Sequence, residues 1–199
     1  MNAISRPRRT HKTDHSDNAL IARIAAGDQK AFAVLSGKFS ARILALAKRT
    51  TGSAADADEI LQETLLKIWM AAPTWTADGP AQFQTWLHRV VINACLDRKR
   101  RRTFSSLDEV EDMADEGANG FDEAAAAERH SAIIAAMAKL PDRQRSALSL
   151  HYLDEMSAPE AAKVLGVSVS SMESLLVRGK RAMRDALVLA NAIGMIDLL

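Results

Sequence analysis

The sequence predicts an all-α protein built of two small helical domains joined by an acidic flexible linker. Three observations carry that expectation. Ala, Leu, Glu, Lys and Arg dominate the 199 residues and β-branched runs are scarce, a composition that favours helix over strand. Apolar residues recur at three- and four-residue spacing along most of the chain, the period of one helix face. Between Thr103 and Glu123 the pattern stops, and eight acids stand without one base. Such a segment cannot bury enough apolar surface to fold alone.

The elements follow in order. Residues 1–15 are basic and patternless, and a disordered tail is expected there. Ser16-Asp17 can cap a helix through Ala26. Gly27-Asp28 is a stop followed by a new cap. The next helix carries Phe32, Leu35, Phe39, Ile43, Leu46 and Ala47 and stops near Thr50-Thr51-Gly52. A third opens at Ser53 with acids in its first turn, where they complement the helix dipole. Its apolar stripe is Ile60, Leu61, Leu65, Ile68 and Trp69, and Pro73 marks its end. After the loop "PTWTADGPAQF" a fourth helix runs from about Ala81 to Arg102, with Phe83, Trp86, Leu87, Val90, Val91 and Ala94 inward. The first domain therefore covers 16–102, the linker 103–123 and the second domain 124–199. In the second, one helix is expected over Ala124 to Leu140 and another from Pro141-Asp142 to about Leu153. Ser157 caps a third through Leu165, and Ser168 caps a fourth from Val169 to about Ala190.

Bulk properties narrow the function. Apolar residues make up 48% and charged residues 26%, the balance of a soluble protein. With 26 bases against 25 acids the net charge is +1, so any nucleic-acid contact must come from local clusters. Cys95 is the single cysteine. That rules out an internal disulfide and a cysteine-based zinc site, and it fits a reducing cytosol. No stretch approaches the roughly 20 apolar residues that span a bilayer. Arg6, Arg8, Arg9 and Lys12 are followed by no apolar run, so a secretory signal is not expected. No nucleophile–base pair, Gly-rich phosphate loop or metal-ligand spacing is visible. An enzyme, a cofactor, a metal and a small-molecule substrate are all unexpected.

Three stretches carry chemistry. "SAPEAAKVLGVSVSSMESLLVRGKRAM" has helix-turn-helix spacing. Ala161, Ala162 and Leu165 face inward, and Gly166 supplies the left-handed residue of a sharp turn. Val167 and Val169 plug the corner, and Met172, Leu175 and Leu176 anchor the second helix. Ser170, Ser171, Glu173, Ser174, Val177 and Arg178 are left facing outward. Small polar residues at a helix front can approach base edges. Arg178, Lys180, Arg181 and Arg184 can reach phosphates. An ordinary helical hairpin with a solvated basic face fits the same residues. "FQTWLHRVVINACLDRKRRR" has a polar face of Gln84, His88, Arg89, Asn93, Asp97 and Arg98, closed by five bases in six residues. That is more cation than a helix C-terminus requires. Trp75, Phe83 and Trp86 lie close by, and aromatics beside a basic groove suit unstacked single-strand bases, although such rings also suit a core. "DADEILQETLLKIW" presents Asp56, Asp58, Glu59, Gln62 and Glu63 on one side, either a solvated face or a dock for a basic partner.

Taken together, these stretches resemble bacterial extracytoplasmic-function sigma factors over roughly Asp17 to Leu187. The resemblance implies a protein that binds core RNA polymerase and directs it to promoter DNA. By motif match, Asp56, Glu59, Gln62, Glu63, Leu66 and Trp69 would dock the polymerase. The loop from Pro73 to Phe83 would hold a flipped −10 base. Arg89, Asn93 and Arg98 would contact the −10 strand, with Lys99, Arg100, Arg101 and Arg102 on its phosphates. Ser171, Glu173, Ser174, Val177, Arg178, Lys180 and Arg181 would serve the −35 duplex. The family wording also implies an anti-sigma factor as partner, often membrane-bound, and a monomer when free. Many relatives are basic where this chain has Glu173, so the −35 sequence does not carry over. Two rival readings are a sigma mimic that sequesters an anti-sigma factor and a helix-turn-helix repressor. The intact basic clusters oppose the first, and the Trp-rich domain and acidic tether oppose the second.

Overall fold

The structure is a computed structural model that describes residues 16–76, 82–105 and 132–196, with side chains placed through residue 101 in the first half and residue 188 in the second. Among the described residues every regular element is helical.

In the first half, α1 (Asp17–Ala25) starts where the Ser16 side chain accepts the Ala19 N–H. The chain turns at Gly27, φ 84°. Asp28 caps α2 (Gln29–Thr51) by accepting from the Lys30 and Ala31 N–H groups, and its other oxygen takes the Arg23 guanidinium at 2.7 Å. One carboxylate thus ends one helix and begins the next. Gly52, φ 79°, closes α2. Ser53 caps α3 (Ala54–Ala71), and a 3-10 turn over Ala72–Thr74 carrying Pro73 ends it. α4 is Phe83–Ser105, starting two residues later and running three residues further than its apolar pattern indicated. Leu20, Leu35, Leu46, Ile60, Val91 and Ile92 are fully buried between the four helices. Each contributes about 1.5–3 kcal/mol by leaving water.

In the second half, helix is described over residues 132–138 (α5), followed by α6 (Asp142–Leu148), α7 (Ala158–Leu165) and α8 (Val169–Ile196). The helix expected to run unbroken to Leu153 changes at Ser149. A π-turn spans Ser149–Leu153, and the Asp154 N–H donates to the Ser149 carbonyl five residues back. The wider turn seats Leu150 in the core and carries Asp154 onto α2. A capping box opens α7: the Glu160 N–H donates to the Ser157 hydroxyl, and the Ser157 N–H donates to the Glu160 carboxylate. α8 reaches Ile196, six residues past its expected end. Val164, not Val169, fills the corner of the helix-turn-helix, for Val169 is exposed.

The two halves touch. Arg145 on α6 is only 3% exposed. Its guanidinium donates to the Met137, Ala138 and Leu140 carbonyls at the end of α5, and to the Thr50 carbonyl of α2 at 3.0 Å. Lys99 of α4 pairs with Asp142 of α6 at 2.6 Å. Asp154 has a side chain 4% exposed, and its carboxylate lies 3.2 Å from Arg49, 3.9 Å from Arg42 and 3.8 Å from His88. The acidic linker cannot be followed into this contact, since residues 106–131 lie outside the described residues, as does the tail over 1–15.

Candidate nucleic-acid interfaces

The acidic helix α3 divides its expected face in two. Glu59, Gln62, Glu63, Leu66 and Trp69 are exposed, and their three- and four-residue spacing stacks them on one side. Leu66 is 58% exposed. Met70, which the motif did not single out, continues the stripe and is more open still. Its signal was available, since it lies four residues beyond Leu66. Trp69 keeps one edge against Phe32, with centroids 5.2 Å apart. Asp56 does not share this surface. It is 5% exposed and accepts from Arg98 Nε at 2.5 Å.

That bond also places Arg98, whose second guanidinium nitrogen lies 2.5 Å from Glu59. The Asp56 hydrogen bond, chiefly, holds the Arg98 pKa above its ordinary value. Arg98 stands nine residues after Arg89, about 180° around the helix at 3.6 residues per turn. The two expected strand contacts therefore diverge. Arg89 and Asn93 face solvent together, and Arg98 faces α3. Arg100 and Arg101 are exposed, with Arg100 paired to Asp97 one turn back. Lys99 is engaged by the second half, and the Arg102 side chain lies outside those described. His88, read from the sequence as part of the polar face, is buried. It lies 2.7 Å from the Gln84 carbonyl through Nδ1. Burial, chiefly, pushes its pKa down.

The aromatics upstream of α4 form a cluster. Trp75 meets Phe83 and Trp86 edge-on at 5.6 Å, Phe83 lies stacked against Trp86 at 5.7 Å, and Phe39 closes the group from α2. The Trp75 indole N–H donates to Asn18. Trp75 and Trp86 are half-buried. Residues 77–81 of the expected base-holding loop lie outside the described residues.

At the helix-turn-helix, Gly166 has φ 64° and closes α7. The Ser168 side chain accepts the Ser171 N–H at 3.1 Å and donates to the Ser171 hydroxyl at 2.8 Å, fixing the front of α8. Met172, Leu175 and Leu176 are buried. Gly179 lets α8 close on α6, where a Cβ would stand 3.1 Å from Leu148 Cγ. Ser170, Ser171, Glu173, Ser174, Val177, Arg178, Lys180 and Arg181 are all exposed. Arg178 folds back to donate to the Ser174 carbonyl, and Lys180 sits 5.4 Å over the Tyr152 ring.

No group of three or more metal-ligating side chains forms among the described residues. Cys95 is buried, and burial pushes its thiol up to about 12, which makes it a poor nucleophile at neutral pH. Among the described residues no helix is long and apolar enough to cross a membrane.

Residues 36–105 match the family model for Sigma-70 region 2, and residues 130–183 match that for Sigma-70, region 4. The ECF RNA polymerase sigma factor SigM of Mycobacterium tuberculosis is 32% identical over 167 residues, 84% of this chain and 82% of that protein. The chain belongs to the extracytoplasmic-function sigma factors. SigW of Bacillus subtilis is 29% identical over 178 residues, covering 84% of this sigma factor and 94% of SigW. Among solved structures, CnrH in complex with the cytosolic domain of CnrY aligns with TM-score 0.63 and 29% identity, over 87% of this chain and 97% of that one. RpoE of Bartonella quintana, solved with the anti-sigma factor NepR, shares the fold at TM-score 0.64 and 20% identity, over 80% and 96%. The region 2 match spans most of α2 and all of α3 and α4, and the region 4 match ends inside α8. As an alternative sigma factor the protein acts in transcription initiation.

Proposed function

We propose that this sigma factor docks core RNA polymerase with the exposed face of α3, reads the −10 strand with α4 and reads the −35 duplex with α8. One observation carries the reading. α3 offers acids and an amide interleaved with exposed Leu66, Trp69 and Met70, while α4 exposes Arg89 and Asn93 on the side turned away from its Arg98–Asp56 contact. An apolar patch rimmed by charge suits a protein partner, and the exposed cations of α4 suit phosphate. Glu59, Gln62, Glu63, Leu66 and Trp69 make the polymerase contact. Arg89 and Asn93 touch the strand, with Arg100 and Arg101 on its phosphates. Asp56 and Arg98 brace α3 against α4. The half-buried Trp75 and Trp86 offer aromatic surface to a base flipped from the stack, at a few kcal/mol.

The protein catalyses nothing itself, takes no small molecule and works in the cytoplasm as a monomer until it meets polymerase. Its control is by an anti-sigma factor, as the solved complexes of CnrH with CnrY and of RpoE with NepR suggest. Promoter binding requires the two halves to part. Elements at −10 and −35 lie about 25 base pairs apart, roughly 80 Å of duplex at about 34 Å per turn. Lys99 on α4 touches Asp142 on α6, and only residues 166–168 separate α7 from α8. The contact seen here is therefore a conformer from which the factor opens.

The test is run-off transcription with purified core polymerase on genomic fragments, with an Arg89→Ala/Asn93→Ala double variant alongside. Specific starts that disappear in the variant are the expected result. A chain that binds neither core polymerase nor DNA would sink the reading and favour a mimic. Duplex binding without polymerase would favour a repressor.

A further inference from the structure

The inward side of α8 is set by Met172, Leu175, Leu176 and Gly179, all buried against α6 and α7. At about 100° per residue, the direction opposite that side belongs to Ser170, Ser174, Val177 and Arg181. Three of these four are polar. Val177 is 67% exposed, and its neighbours along the stripe are Ser174 and Arg181. A lone exposed valine on a surface is ordinary. This one stands at the centre of the outward face of the second helix of a helix-turn-helix. The exposed residues three and four away from it on α8, Glu173, Ser174, Lys180 and Arg181, are all polar.

We propose that Val177 is a specificity residue of this sigma factor and reads a thymine of the −35 duplex through its C5-methyl group. The inference rests on α8 entering the major groove and goes beyond it by naming the base. Ser170 and Ser174 are small, so nothing on the front turns holds the helix off the base edges. Val177 is then the first bulky side chain along that stripe. It has no donor or acceptor to offer. The thymine methyl is the apolar feature among the base edges of the major groove.

The flanking groups do not compete for that position. Arg178 is bonded back to the Ser174 carbonyl, and Lys180 lies over Tyr152. Ser171 is tied to Ser168. Glu173 sits some 40° around the helix from Val177, where it can accept from a cytosine amino group on the same strand or its complement. The first two turns of the outward stripe, Ser170 to Val177, therefore carry no guanidinium, and discrimination there leans on the methyl contact.

The experiment uses the complete sigma factor bound to core polymerase, on promoter fragments recovered by run-off transcription. Each −35 thymine is replaced in turn by deoxyuridine, which removes only the methyl group. Competition binding should show one position at which wild type loses about fourfold in affinity, the worth of one buried methyl. Val177→Ala should bind the thymine and uracil fragments equally, near the level of wild type on uracil. Alanine is the better helix former at an exposed site, and circular dichroism checks that the variant is folded. If no position is uracil-sensitive, or if Val177→Ala keeps the full sensitivity, the inference is overturned. A holoenzyme that makes no specific start at all would instead refute the proposed function.

Discussion

The Asp154 contact gives the most demanding test of the closed arrangement. Its carboxylate comes from the second half and meets Arg49 at 3.2 Å and Arg42 at 3.9 Å on α2, with His88 of α4 behind. Asp154→Ala removes an acceptor whose side chain is 4% exposed and leaves two guanidinium groups without their carboxylate. Breaking a fully buried pair costs about 3–5 kcal/mol. Arg42 and Arg49 keep 42% and 27% of their side-chain surface in water, so they can turn outward, and the expected cost falls to about 2 kcal/mol. That lowers the closing equilibrium about 30-fold. The assay is single-molecule energy transfer between dyes at Lys30→Cys on α2 and Lys163→Cys on α7, both exposed. Cys95 stays unlabelled, since its thiol is buried and pushed up to about 12. The variant should shift molecules from a short-distance to a long-distance population, with helix content unchanged by circular dichroism. An identical distance distribution in wild type and Asp154→Ala would refute the idea that this ion cluster holds the halves together.

Three further outcomes follow from the same structure. Arg145→Ala removes the guanidinium that four backbone carbonyls accept from, of which Met137 alone is seen to keep a second donor, the Leu140 N–H, and should cost about 3–5 kcal/mol in urea unfolding. Arg145→Lys should recover less than half of that, because an ammonium cannot reproduce the planar fork; full recovery would show that charge alone matters there. Burial lowers the His88 pKa, so the folded state holds the ring neutral while the unfolded chain protonates it near 6.5. That stability is complete above about pH 6.5 and is lost as pH falls toward the depressed folded value. His88→Gln should flatten the melting temperature across that window, and an unchanged pH profile would count against the assignment. Gly166 has φ 64° with open space around its Cα, so Gly166→Ala should cost about 1 kcal/mol from backbone strain alone, read as a lower denaturant midpoint. A neutral or stabilising result would show that the turn relaxes freely.

Much of the architecture was legible because it is written in local chemistry. Ser16, Asp28, Ser53 and Ser157 act as caps where the sequence placed them, and Gly52 and Gly166 end helices in the left-handed conformation. Leu35, Phe39, Ile43 and Leu46 are buried at the spacing that marked them as one stripe. The exposed face of α3 and the outward face of α8 were also readable, since residues three and four apart share a side whatever the helix packs against. Where that reasoning failed, a distant partner had intervened. His88 has the look of a polar-face residue, and only Asp154 and α2 make its site an interior. Arg98 appeared to belong with Arg89, until the rotation of α4 against α3 turned it toward Asp56.

By itself the sequence determined the helices, their caps, the turn at Gly166 and the two separate basic clusters. Each depends on groups within about four residues, which meet in any helix that forms. Tertiary structure alone decided that Asp56 is a brace, that Arg98 points inward and that the helix after α6 widens at Ser149. It also decided that Asp154 joins the two halves. Asp56 and Arg98 lie 42 residues apart, and Arg49 and Asp154 lie 105 apart. Local periodicity cannot relate such positions, because their meeting depends on how whole helices pack.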